Sequence, residues 1–173
     1  MTQPEFAALV RNVPDFPIPG VQFKDITPLL ANGPAFRAVV ETFAKRYAGT
    51  NIDIVAGVES RGFIFSAPLA IALGVGLSPI RKPGKLPADT HEVNYSLEYG
   101  TNTLQMHKDA FTPGARVLLI DDLLATGGTI RAAAQLVEQV GGKIVELAFA
   151  IELTDLRGRD ALAEYPIFSL IQY

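Results

Sequence analysis

The chain has 173 residues, 49% of them hydrophobic, which suits one domain with a sizeable core. Its formal net charge of -3 gives no long-range pull on nucleic acid or anionic membrane, so any phosphate site has to come from local geometry. With no cysteine there is no disulfide framework, thiolate zinc site or cysteine nucleophile, and His91 and His107 are a poor start for a metal cluster.

The opening residues, MTQPEFAALVRNVPDFP, carry acids and prolines and lack the basic head and long apolar run of a secretion signal; no segment approaches a membrane span. A soluble, cytoplasmic protein is expected. Residues 12–33 read as irregular. From Pro34 to Tyr47, Phe36, Val39, Val40, Phe43 and Tyr47 recur at helical spacing behind an Asn32-Gly33 cap, which predicts an amphipathic helix. The β-branched run NIDIVAGV then predicts a strand, and ESRGFIFSAPLAIAL a buried helix from Glu59, bent at Pro68. A short strand, VGLSPI, breaks into the basic turn RKPGKLP, Arg81 to Pro87. Alternation at Val93, Tyr95, Leu97 and Tyr99, the break at Gly100 and the extended TNTLQMH predict a β-hairpin. RVLLI, Arg116 to Ile120, reads as a buried strand, Thr129 to Val140 as a helix stopped by Gly141-Gly142, and KIVELAFAIEL as another strand. Strands apolar on both faces, alternating with helices, imply an open α/β sheet, parallel and covered on both sides.

In such a sheet ligands bind at the carboxyl ends of the strands, where DDLLATGGT sits, Asp121 to Thr129. Thr126, Gly127, Gly128 and Thr129 offer consecutive backbone N–H groups and two hydroxyls at a helix N-terminus, a natural cradle for a phosphate. There is no lysine as in a nucleoside triphosphatase loop and no GxGxxG, so a phosphate monoester suits it better than a triphosphate or dinucleotide. Taken alone, Gly-Gly could equally be a tight turn and Asp121-Asp122 a helix cap. Two adjacent carboxylates behind a buried strand, however, repel each other unless ribose hydroxyls or a hydrated Mg²⁺ lie against them. Acid pair and cradle together read as a site for a sugar phosphate.

The aliphatic run, two acids and Thr-Gly-Gly-Thr turn resemble the phosphoribosyl diphosphate (PRPP) signature of the type I phosphoribosyltransferases, and DDLLATGGT in full is similar to the family's adenine-specific branch. The resemblance continues through PDFPIPGVQFKDITPLL, GVESRGF, RKPGKLP, YSLEYGTNTLQMHKDA and IELTDLRGRDAL, in that order. It implies an open, mainly parallel twisted sheet flanked by helices, with a small hood of N- and C-terminal segments and a β-hairpin lid. It also implies transfer of the 5-phosphoribosyl group from PRPP to adenine with Mg²⁺ as cofactor, held mainly through PRPP, giving AMP and pyrophosphate in purine salvage.

Residue by residue, the resemblance assigns the 5′-phosphate to Ala125, Thr126, Gly127, Gly128 and Thr129 and the ribose hydroxyls to Asp121 and Asp122. It assigns pyrophosphate to Glu59, Ser60 and Arg61, with a non-proline cis peptide expected near Glu59-Ser60. GVESRGF has the glycine spacing of a Walker loop, but Phe63-Ile64 stands where Lys-Ser/Thr belongs. Lys82 and Lys85 of the basic turn are further pyrophosphate candidates, in relatives at or across a dimer interface, so a homodimer is expected. Residues 88–110 form the expected lid, where Glu98 contacts or protonates the purine and Tyr99 closes over the reaction centre and joins the pyrophosphate-binding set. Phe23 and Leu153 are the expected faces of the adenine slot, with main-chain atoms around Gln22 and Lys24 at its edge. Glu98, Arg61, Asp121 and Asp122 are thus the catalytic candidates. A PRPP-binding regulator and an enzyme for a 6-oxopurine remain the rivals; no helix-turn-helix or basic stripe favours the former.

Overall fold

The structure is a computed structural model that describes residues 1–96 and 101–173. The chain opens with α1 (Gln3–Ala7), β1 (Arg11–Pro14), β2 (Gln22–Asp25), α2 (Thr27–Ala31) and α3 (Gly33–Tyr47). It continues through β3 (Ile54–Val58), α4 (Gly62–Leu73), β4 (Gly76–Ile80), β5 (Thr90–Ser96), β6 (Thr101–His107), β7 (Arg116–Leu124), α5 (Gly128–Gln139), β8 (Lys143–Glu152) and β9 (Ile167–Gln172). Five strands form a parallel sheet in the order β4-β3-β7-β8-β9. The chain leaves β3 for β4 on one side and returns to β7 on the other, so the strand order reverses between β3 and β7. That reversal opens a crevice at the carboxyl ends of these two strands.

Local chemistry explains the helices around the sheet. The Asn32 side chain accepts from the Ala35 N–H at 3.1 Å, and Pro34 in the first turn has no N–H to leave unpaired, so α3 starts where the sequence predicts. α4 stops at Gly74, which takes φ 70° and donates to Ala70 and Ile71 carbonyls. One sheet face packs Val55, Leu118, Ile120 and Ala148 under Phe6 of α1, Val39 and Phe43 of α3, and Phe65 and Leu69 of α4. The other packs Ala56, Val117, Leu119 and Phe149 under Ile130, Ala133, Ala134 and Val137 of α5. Each large side chain so buried contributes about 1.5–3 kcal/mol.

The structure differs from the sequence reading at several elements. The tract read as irregular holds the antiparallel pair β1-β2 and the short α2; β1 is mostly exposed, β2 is half-buried with no fully buried residue, and both are only four residues long, so neither shows apolar alternation. β7 does not end at Ile120 but runs through both aspartates to Leu124, because β8 continues to pair with it at Leu123↔Ile151 and Leu124↔Glu152. α4 begins at Gly62 rather than Glu59. An unpredicted strand, β9, closes the sheet beyond β8. The hairpin β5-β6 is more than a lid: Val93, Leu104 and Met106 are buried in the core beside α5, where a crossover helix would otherwise lie.

Candidate active site

A cleft of about 520 Å³ lies at the crevice between β3 and β7, lined by the turn after β3 (Val58 to Arg61), Lys82, Tyr95 and Asn102 of the hairpin, and the chain from Asp121 to Ile130. On one wall, α5 is preceded by Gly127, which sits at φ 88° with no side chain capping the helix. Among the described residues, no acceptor is present for the N–H groups of Thr126, Gly127, Gly128 and Thr129. Four free donors at the positive end of a helix dipole are what an anion requires. Glycine is obligatory at 127 for two reasons: its left-handed φ, and the Gly158 carbonyl that would lie 2.8 Å from any Cβ there.

The floor is formed by the two aspartates. Asp121 lies against the first turn of α4, and a Cβ on Gly62 would approach its Oδ1 to 2.8 Å; the glycine lets the helix start this close. Asp122 is buried, with Arg61 Nε at 2.7 Å from its Oδ2. That contact is an ion pair without hydrogen-bond alignment, which leaves Oδ2 buried and lacking a donor. Burial first, then the charge of Asp122, raises the pKa of the Asp121 carboxyl well above the usual range. Burial also raises that of Asp122, although Arg61 opposes it. A buried oxygen without a donor, in a pair of mutually repelling acids, fits ribose hydroxyls. It also fits Mg²⁺, which binds through one or two carboxylates plus substrate oxygens and waters rather than an all-protein cage. No cluster of three or more acidic or histidine ligands occurs among the described residues.

The opposite wall is the turn after β3. The Glu59–Ser60 peptide is cis, as the resemblance implies. Glu59 does not face the cleft as a free acid: its Oε2 accepts from Arg81 Nε at 2.6 Å, and Arg81 also donates to the Lys85 carbonyl. The basic turn is thereby tied to the turn after β3. Lys82 lines the cleft, whereas Lys85 is not among the lining residues.

Above the floor, the N- and C-terminal segments meet as a hood. Phe23 on β2 packs edge-on to Phe16, centroids 5.1 Å apart, and the Arg61 guanidinium lies 5.3 Å from its ring centroid. Lys24 places Nζ 3.9 Å over the Tyr173 ring, and the Gln22 side chain accepts from Asn12. Leu153 follows β8 and donates its N–H to the Leu124 carbonyl at 2.9 Å. Phe23 and Leu153 border the cleft through Arg61 and Leu124 but do not line it. Glu98 and Tyr99 lie outside the described residues.

A phosphoribosyl transferase domain model matches residues 27–171. The chain is 65% identical to the adenine phosphoribosyltransferase of Chloroflexus aurantiacus over 173 residues, covering all of both proteins. It belongs to the adenine-specific branch of the phosphoribosyltransferase family. The crystal structure of the adenine phosphoribosyltransferase from Thermoanaerobacter pseudethanolicus superposes with a TM-score of 0.96 at 52% identity, covering 99% of this chain and 100% of that one. The Saccharomyces cerevisiae enzyme, complexed with D-2,5-dideoxy-2,5-imino-altritol 1,6-bisphosphate and adenine, superposes at 0.92 and 38% identity, covering 97% of each chain.

Sequence reasoning missed Tyr95 and Asn102, which pair across the hairpin and line the cleft. Their only signal was strand alternation, which gives a face but not a neighbour. It also missed Gly158, whose Cβ would run into the Ala125 carbonyl; a glycine between two arginines was the trace available.

Proposed function

We propose that the protein transfers the 5-phosphoribosyl group of PRPP to adenine, releasing AMP and pyrophosphate as a purine-salvage enzyme of the cytoplasm. The observation that carries this reading is the juxtaposition at one crevice of four amides with no acceptor among the described residues, an aspartate pair in which Asp122 Oδ2 lacks a donor, and Arg61 with Lys82. Those are the partners of a 5′-phosphate, two ribose hydroxyls and a departing diphosphate, in the order PRPP presents them. The yeast relative's pairing of a sugar-like bisphosphate with adenine supports the same arrangement.

In the reaction the bond between the anomeric carbon and the diphosphate oxygen breaks, the bond from that carbon to N9 of adenine forms, and the N9 proton departs. The cradle at residues 125–129 fixes the 5′ end, which converts binding energy into alignment. Asp121 and Asp122 accept from the ribose hydroxyls, and their negative charge offsets the cation developing on the sugar. Arg61 and Lys82 stabilise the leaving diphosphate, while Arg81 holds Glu59 so that the turn keeps its shape. Glu98 assists the purine, and Tyr99 with the rest of the hairpin excludes water that would otherwise yield ribose phosphate. Phe23 and Leu153 flank the purine, and main-chain groups at Gln22 and Lys24 read its edge. Mg²⁺ bound with PRPP, through Asp121 or Asp122 and the substrate's own oxygens, would neutralise diphosphate charge.

A homodimer is part of the same reading. It is supported by α4, apolar around its circumference, with Ile71 82% exposed, and by Leu77, exposed on the edge strand β4. The decisive assay supplies PRPP and Mg²⁺ with adenine, hypoxanthine, guanine or xanthine in turn and follows nucleotide by chromatography. AMP from adenine alone is expected; turnover of a 6-oxopurine, or PRPP binding with no turnover of any base, would replace this reading by one of its rivals. EDTA should abolish activity and added Mg²⁺ restore it.

A further inference from the structure

Behind the phosphate cradle lies an ion pair that does not itself line the cleft. Glu152, at the end of β8, is 3% exposed. It accepts from Arg159 through both oxygens, Nε to Oε1 at 2.7 Å and Nη2 to Oε2 at 2.7 Å, and from Gln172 Nε2 at 3.1 Å. A bidentate guanidinium on a buried carboxylate fixes orientation as well as distance. Arg159 belongs to the tight turn 157–162, which Arg157 enters at φ 53°. The same turn is the back wall of the cradle: Gly158 is packed against the Ala125 carbonyl, and its own carbonyl, with Ala161 and Leu162, crowds the side of Gly127 where a Cβ would stand. The β8 end of the pair is equally tied, since Glu152 pairs with Leu124, the last residue of β7 before the cradle.

We propose that Arg159, clamped by Glu152, is a positioning residue that sets the shape of the phosphate cradle and hence the affinity for the 5′-phosphate end of PRPP. The proposal rests on the functional reading above. Arg159 acts at one remove: it holds the 157–162 turn, the turn holds Gly127 in its left-handed conformation, and Gly127 aims the amides. The hydrogen bonds from Arg159 also hold the Glu152 carboxyl below its usual range, so the pair is charged at neutral pH.

The structure contains its own control. Arg46 makes a similar bidentate pair with buried Glu146, on the same strand but at its opposite end, 2.8 and 2.7 Å from the two oxygens. Calorimetric titration with ribose 5-phosphate and with adenine would be run on the wild type, Arg159→Met, Arg159→Lys and Arg46→Met, with thermal melting of each. Affinity for ribose 5-phosphate should fall about tenfold or more in Arg159→Met, with partial recovery in Arg159→Lys and far less change for adenine. Arg46→Met should lower the melting temperature yet bind ribose 5-phosphate as the wild type does. Should Arg159→Met not fold, Arg159→Lys carries the test, together with shifts of the Gly127 and Gly128 amide resonances in the free protein. Unchanged ribose 5-phosphate affinity in the folded Arg159 variants, or an equal loss in Arg46→Met, would overturn the proposal. A wild type that binds neither ribose 5-phosphate nor PRPP would overturn the functional reading instead.

Discussion

At the scale of single residues, the aspartate pair is where function and folding oppose each other. Asp121 and Asp122 bind protons more tightly folded than unfolded, since burial, the first cause in each, raises both. The cost to stability is therefore absent below the ordinary aspartate range near 3.9 and grows as pH rises toward the folded values. Asp121→Asn should melt higher than the wild type at about pH 7, and that advantage should shrink as pH falls toward about 4. The double variant Asp121→Asn, Asp122→Asn should lose about 10²-fold or more in turnover. A variant that melts lower at neutral pH would contradict this account of the pair. Glu146 behaves oppositely. Burial pushes its pKa up, but hydrogen bonds from Arg46 and Tyr47 more than offset that and leave it lowered. Its contribution is present above the ordinary glutamate range and is lost as pH falls through the lowered value, so the stability lost in Arg46→Met should diminish in acid.

At the scale of elements, the hairpin and the cradle each carry a test. Met106 on β6 is fully buried and Leu104 nearly so; Met106→Ala should cost about 2–5 kcal/mol in urea unfolding, whereas a lid independent of the core would cost almost nothing. Gly127→Ala meets both a positive φ and the Gly158 carbonyl, and should lose about 1–3 kcal/mol and most of its affinity for PRPP. The elements legible in the sequence were those whose burial imposes a period: α3 with Val39 and Phe43 inward, the all-buried β3, and α5. β1 and β2 escaped because they are short, without a fully buried residue and with prolines between them, and the end of β7 because acids read as a break while backbone pairing to β8 continued through them. The cradle was legible because its chemistry lies in contiguous backbone at Thr126 to Thr129. Its support at Gly158 and Arg159 was not, since contacts made across about thirty residues of sequence leave no local pattern.

At the scale of the molecule, every cleft-lining segment but the hairpin and Lys82 belongs to the end of β3 or β7 or to the chain just after it, and these are the two strands between which the sheet order reverses. The remaining segments enter from the side of β4, whose last residue, Ile80, leads directly into Arg81 and Lys82. β4 is the sheet's edge strand, and α4 beside it exposes Ile71. An apolar helix with no polar face needs cover, and a second copy placed there would bury β4 and stiffen the base of the basic turn. In the proposed homodimer, Ile71→Glu should therefore leave a monomer, read by light scattering across a range of protein concentrations. Because Lys82 then loses its braced support, the same variant should show a raised KM for PRPP and a nearly unchanged KM for adenine. A wild type that stays monomeric at every concentration would refute the dimer. A monomeric variant with unaltered KM for PRPP would instead show that Lys82 is held by Arg81 and Glu59 within one chain.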